Sequence, residues 1–291
     1  MIDPLRNFLA ICTVVLAIIA IWYAGAFALN SQWTRDQAAR AGTELSLGAI
    51  ARDTMRQERP KLPAPHQVGA ELWKTVAQKK ITSKRSLVFH GWITLQATLL
   101  GFAIGTLAGI TLAIGIVHSR TMDMSVMPWA IASQTVPILA IAPMVIVVLS
   151  SIGIQGLIPK ALISAYLSFF PVVVGMVKGL RAPNAMQLDL MQTYHAGRLQ
   201  TLLKLRLPAS MPYLFASLKV AVAAALVGTI VAELPSGAVR GLGARLLSGS
   251  YYGQTIQIWA ALLAAAALAA GLVALIGLAQ KGVLKRMGMA Q

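Results

Sequence analysis

Six stretches of this chain are long and apolar enough to leave water, and they limit the possible folds more than any motif does. Residues 8–29 alone run for 22 positions without a charge, enough for a helix to cross a hydrocarbon layer of about 30 Å. Further spans are expected at about 91–117, 126–149, 156–177, 210–232 and 258–280. Composition agrees: 57% of residues are hydrophobic and 12% charged, with a mean hydropathy of +0.70. The expected fold is an all-α integral membrane protein with six transmembrane helices. The first run exceeds the length of a cleaved signal's apolar core, and Arg6 is the only basic residue before it, so residues 1–29 are read as a retained N-terminal transmembrane helix.

A net charge of +16, from 25 Lys and Arg against 9 Asp and Glu, would suit a nucleic-acid partner if it lay on one soluble surface. It lies instead in loops beside apolar spans, where membrane orientation and lipid headgroups account for it. No nucleic-acid partner is expected. The single cysteine, Cys12, allows no intramolecular disulfide and no cysteine metal site.

Within the spans, polar and special residues mark places that lipid would not tolerate. Gly101, Gly105 and Gly109 recur every four residues on one face of the second span, with Gly115 off that register, and such a face lets another helix approach closely. The third span is interrupted by Pro128, Pro137 and Pro143 and carries Ser133, Gln134 and Thr135 at its centre. Proline frees a carbonyl, and polar groups at membrane depth need protein or a water-filled cavity, so these residues are expected to line a pathway. A bond from Gln134 to a neighbouring helix is the alternative. Lys160 is placed to snorkel. Lys219 can do so only near the inner surface. Glu233, at the end of the fifth span, either pairs with a basic residue at the outer mouth or faces solvent. The glycine-rich loop after it reads as flexible.

Residues 30–90 form the main polar excursion, broken by Pro60, Pro63 and Pro65. Beyond that break Val68, Leu72, Trp73, Val76 and Ala77 recur at helical spacing and suggest an amphipathic helix along the membrane surface. His66 lacks a second ligand at metal spacing and reads as a solvated loop histidine. Residues 91–291 then form a five-helix core.

The polar segment 188–212, LDLMQTYHAGRLQTLLKLRLPASMP, interrupts that core. Leu199, Leu202 and Leu203 recur at helical spacing beyond a glycine, which reads as helix, turn, helix, with Leu207-Pro208 as a boundary. This segment resembles the cytoplasmic loop of ABC-importer permeases, whose pattern is Glu-Ala-Ala, three residues, Gly, nine residues, Ile, any residue, Leu-Pro. Counted back from Leu207-Pro208, Leu205 takes the isoleucine position, His195 the glycine position and Asp189-Leu190-Met191 the place of the triplet. LPAPHQVGAELWKTV and SQTVPILAIAP also resemble segments of the nitrate, sulfonate, taurine and thiamine-precursor permeases of that class.

The resemblance implies a type I ABC importer core, covering about residues 60–285, with residues 185–209 as the coupling loop against an ATPase. It also implies a second permease subunit and a periplasmic solute-binding protein. No G-x-x-x-x-G-K-[ST] phosphate cradle occurs, so this chain is expected to bind no cofactor and to be no enzyme, with ATP and Mg held by the partner ATPase. Because histidine takes positive φ less readily than glycine, the turn is expected to slip from His195 past Ala196 to Gly197. An altered loop of that kind favours a heterodimer of unlike permeases. The resemblance places the chain in the bacterial inner membrane, with 30–90 periplasmic and both termini cytoplasmic. Short loops agree: 178–209 carries Lys178, Arg181, Arg198, Lys204 and Arg206, and 150–155 has no charge. Eleven basic residues in 30–90 run against it, although long loops weigh little. The solute is expected to be a small polar heterocycle or an anion such as nitrate or a sulfonate. Other classes consistent with the composition are an ion-coupled secondary transporter and a structural membrane subunit.

Overall fold

The computed structural model describes residues 4–43, 45–235 and 240–289, and among these helices joined by turns and irregular segments occur, with no strand. Contacts divide the chain into two compact units, Met1–Phe89 with Arg245–Ala264, and His90–Ala244 with Ala265–Gln291. The return of residues 245–264 to the N-terminal unit was not legible in the sequence.

In the first unit, α1 (Pro4–Arg40) does not stop at residue 29 but continues for a further three turns. Its apolar half is uncovered, with Phe8 and Ile21 63% and 72% exposed. In its polar half Asn30, Ser31 and Thr34 are buried, while most of the other side chains are exposed. The Asn30 amide donates to the Leu62 carbonyl at 2.7 Å, and its oxygen accepts from the Lys61 and Leu62 amides. Thr34 donates to Asp53 at the end of α2 (Leu47–Thr54). The stretch after residue 30 is therefore folded onto α1, because one buried asparagine can satisfy three backbone groups of the proline-rich turn at once. α3 (Pro65–Trp73) follows that turn and runs into a π-helical turn at Lys74–Gln78, with Val68 buried and Trp73 and Val76 exposed. His66 is exposed, as expected, but it stands in the first turn of α3 rather than in a loop: it stacks on Tyr23, its Nδ1 is 3.2 Å from the Tyr23 hydroxyl, and its Nε2 is 3.1 Å from the Met55 carbonyl.

The second unit is built on α4 (Leu87–His118), α7 (Leu157–Leu180) and α10 (Leu207–Glu233). The expected glycine face of α4 lies against α7. A Cβ at Gly101, Gly105 or Gly109 would stand 2.4, 2.2 and 2.8 Å from Ser164, Ser168 and Val172. The same device joins α7 to α10, where Gly175 and Gly179 meet Ser217 and Ser210, and the Ser164 hydroxyl donates to the Ala225 carbonyl at 2.8 Å. Ile116, Val172, Met176, Leu180 and Ala221 fill the space so enclosed.

The expected third span is two helices, α5 (Arg120–Ser133) and α6 (Ile138–Ser151), bent by 97° across a four-residue break. Among the described residues five helices are long and apolar enough to cross a membrane, and the bent pair makes six if counted as one span. The loop segment contains α8 (Ala185–Thr193) and α9 (Arg198–Thr201). Pro208 does not mark a boundary: a π turn at Leu202–Arg206 precedes it, and the helix runs on from Arg198 to Glu233. The wider turn accommodates a residue that cannot donate an amide hydrogen bond and whose ring crowds the preceding turn. The glycine-rich stretch after Glu233 is not wholly irregular either, since α11 (Leu242–Tyr251) forms in it; Gly237 lies outside the described residues. The last helix is α12 (Thr255–Arg286).

Candidate functional site

The loop between α7 and α10 is held by side-chain bonds at its start and its root. At its start Asn184 caps α8, accepting from the Gln187 amide at 2.9 Å while Gln187 accepts from the Asn184 amide at 3.1 Å. At its root the Arg206 guanidinium donates to the Leu180 carbonyl at 2.9 Å, and Arg181 pairs with Asp123 at 2.8 Å. Leu202 is buried, and Leu205 and Leu207 are half-buried, so the second helix is held by its inner face.

The turn between α8 and α9 stays at the glycine position of the family pattern. His195 has φ of 51°, its amide donates to the Gln192 carbonyl at 2.8 Å, and the Ala196 amide donates to the Met191 carbonyl at 2.9 Å. These two bonds are the Schellman ending of a helix, whose geometry puts the residue after the C-cap in the left-handed region. The expected slip to Gly197 does not occur. Gly197 is extended, φ −66° and ψ 166°, and caps α9, with its own amide bonded to Gln200. Once α8 ends at Thr193, the bond pattern alone dictates which residue must turn.

Met186 and Leu190 of α8 and its C-cap Tyr194 are 81%, 56% and 75% exposed. Their i, i+4, i+8 spacing sets them in one apolar stripe along the helix. Asp189 and Met191 flank it, and Leu199 and Leu203 extend the exposed apolar surface on the following segment. Sequence reading named Leu190 but missed Met186 and Tyr194, although the four-residue spacing could have found them.

The break between α5 and α6 holds the polar residues of the expected pathway. The Ser133 carbonyl, freed at the end of α5, accepts from the Tyr166 hydroxyl of α7. Gln134 is half-buried, and its amide donates to the Ser133 hydroxyl at 3.3 Å rather than to another helix. Thr135 is exposed, and Pro137 caps α6.

Of the two outcomes expected for Glu233, pairing with a basic residue occurs and exposure to solvent does not, since it is 0% exposed. It accepts from the Thr94 hydroxyl at 3.0 Å and the Gly243 amide at 2.8 Å, and pairs with Lys160 at 3.4 Å. Lys160, expected to snorkel, is buried beside it and donates to the Arg240 carbonyl. Residues 240–243 fold over the carboxylate, fixed further by the Gly241 amide on His90 and the Leu242 amide on Thr94. A Cβ on Gly241, which has φ of 126°, would lie 2.1 Å from Glu233 Oε1. Buried charge of this kind needs a partner and donors. Next to it a cavity of about 510 Å³ is lined by Gln96, Ser150, Gln155, Lys160 and Arg240 together with apolar Ile93 and Ile146. Nothing in the sequence around Lys160 or Thr94 pointed to this arrangement. No cluster of three potential metal ligands occurs among the described residues.

Comparison with known proteins finds that residues 105–289 match the family described as the inner membrane component of binding-protein-dependent transport systems. A probable ABC transporter permease protein of Haemophilus influenzae is 32% identical over 65% of this chain and 76% of its own length. The riboflavin transport system permease protein RibX of Chloroflexus aurantiacus is 29% identical over 76% of this chain and 78% of its own. The formylaminopyrimidine transport permease protein ThiX of Halalkalibacterium halodurans is 30% identical over 62% and 68%.

Proposed function

This chain belongs to the family of inner membrane components of binding-protein-dependent transport systems, and on that premise we propose that α8 and α9 are its ATPase-coupling element in an importer working by alternating access. The observation that carries the proposal is the exposed apolar stripe of Met186, Leu190 and Tyr194 on a helix capped at both ends and anchored through Arg206. A soluble partner's groove gains by covering such a stripe, and a rigid anchor transmits its displacement to α7 and α10. Asp189, Met191, His195, Ala196 and Gly197 shape the contact; Leu205, Leu207 and Pro208 connect it to the span.

Hydrolysis belongs to that partner, with ATP and Mg bound there and no cofactor on this chain. A periplasmic solute-binding protein delivers the solute, and both termini lie in the cytoplasm. For the solute, a pyrimidine- or thiamine-precursor-like heterocycle or a nitrate-, sulfonate- or taurine-like anion fits the cavity beside Lys160 and Arg240. Ser133, Gln134, Thr135 and Pro137 line the pathway, and Glu233 is a closing element beside it. An ion-coupled transporter would need a carboxylate free to titrate, whereas Glu233 is committed to Lys160, Thr94 and Gly243. The second permease subunit remains a different chain in this proposal, but the displaced turn that argued for unlike chains is absent. Weighing the complex with a tag on this chain alone decides it, one tagged copy supporting the heterodimer and two refuting it.

The test of the coupling role is ATP hydrolysis by the reconstituted complex. It should rise when loaded binding protein is added, and Leu190→Asp with Tyr194→Asp should abolish that rise while the complex still inserts. Nucleotide binding by the isolated chain, or undiminished stimulation in the double variant, would overturn the proposal.

A further inference from the structure

Three lysines that play no part in the coupling loop or the pathway converge on one cavity. Lys219 of α10 and Lys281 and Lys285 of α12 line a space of about 700 Å³ with Pro212, Gln280 and Leu284. Lys219 is half-buried. It reaches toward α12 where Gly277 leaves room, its Cε and Nζ lying 3.7 and 3.9 Å from where a Cβ on that glycine would stand. Among the described residues no carboxylate lines the cavity, and none of the three lysines has an ion-pair partner there.

An ammonium more than three turns inside a membrane-spanning helix needs an opposing charge or water, and three like charges around one space raise that demand. The ligand that answers it is an oxyanion, because each lysine offers a compact charge and three N–H donors. Val220, beside Lys219, and Leu275 and Leu278, beside Gly277, are 59%, 62% and 65% exposed. Apolar helix surface thus adjoins the charged cavity, which suits a ligand with a phosphate at one end and hydrocarbon at the other. We propose that Lys219, Lys281 and Lys285 form a binding site for the phosphate of an anionic phospholipid, with its acyl chains along the exposed apolar faces of α10 and α12. Basic pockets between membrane helices recognise headgroups in this way. Such a lipid neutralises Lys219 and ties α12 to α10, and it does so whatever the transported solute.

The test is native mass spectrometry of the assembled, delipidated complex titrated with phosphatidylglycerol and, separately, phosphatidylcholine. Phosphatidylglycerol should be retained selectively. Each lysine beside an anionic headgroup contributes about fivefold in affinity, so Lys219→Gln should weaken retention about fivefold and the Lys219→Gln, Lys281→Gln, Lys285→Gln variant roughly a hundredfold. Arg286→Gln, next to Lys285 but outside the cavity, should leave it unchanged. Should the triple variant fail to assemble, the single Lys219→Gln complex carries the test. Retention by Lys219→Gln equal to the unaltered complex, or an equal loss in Arg286→Gln, would overturn the site. Displacement of the lipid by inorganic phosphate at comparable concentration would overturn the lipid and assign the lysines to a soluble oxyanion.

Discussion

His195 occupies the left-handed region because the two closing bonds of α8 leave it no alternative, and for a residue with a Cβ that conformation costs about 1–2 kcal/mol. His195→Gly should therefore stabilise the end of α8 by about 1 kcal/mol, read as slower amide exchange at His195 and Ala196. His195→Val should act in the opposite direction. Gly197→Ala should change little, since its φ is ordinary and a Cβ there meets nothing within 4 Å. Glu233 presents the reverse case, a residue whose chemistry fits its surroundings only while its partner is present. Glu233→Gln leaves the Lys160 ammonium buried without its counter-charge, and breaking a buried pair in this way costs about 3–5 kcal/mol. Adding Lys160→Met should recover much of that loss. Thermal unfolding of the single and double variants measures the coupling, and strictly additive effects would show that the pair does not act as one.

Between elements, the controlling quantity is how closely backbones approach. α4 meets α7 along Gly101, Gly105 and Gly109 at distances no side chain can enter, and at Gly105 a Cβ would stand 2.8 Å from the Ala165 carbonyl oxygen as well as against Ser168. Gly105→Val should push the helices apart and cost more than the about 1–3 kcal/mol of ordinary overpacking, because backbone cannot rotate away. Gly91→Ala on the same helix, where a Cβ meets nothing within 4 Å, should leave the assembled fraction unchanged in size-exclusion profiles. That contrast separates close approach from any general intolerance of substitution in α4. The glycine face was legible because a four-residue repeat is a local property of one helix. The continuity of α9 with α10 was not, because whether a proline ends a helix depends on whether the preceding turn can widen.

At the scale of the whole molecule, α5 and α6 together are long and apolar enough to cross a membrane but are broken between Ser133 and Ile138, and non-helical backbone at membrane depth is tolerated only against protein or water. Gln134 stands in that break with its amide on a neighbouring serine rather than on another helix. In a Cys12→Ala background, Gln134→Cys should react with a small water-soluble thiol reagent, and faster in one nucleotide state than in another. Complete protection in every state would remove it from the pathway. The N-terminal unit shows a different whole-chain effect: residues read as a solvated excursion are ordered by Asn30, Thr34 and Trp22, which donate to or accept from the stretch between Asp53 and Pro63.

What the sequence determined by itself was whatever depends on neighbours along the chain: the apolar runs, the glycine spacing of α4, the helix-turn-helix of residues 185–209 and its register on Leu207-Pro208. Apolarity, helical period and motif spacing need no tertiary contact to be read. The tertiary structure decided the rest. It determined which residue turns after α8, that Pro208 lies inside a helix, and that two charges 73 positions apart, Lys160 and Glu233, meet in a buried site closed by Gly241 and Gly243. A charge near the end of an apolar run can snorkel, face water or pair. Only the closure of the chain, which brings one particular partner within reach and buries the carboxylate, selects among those outcomes.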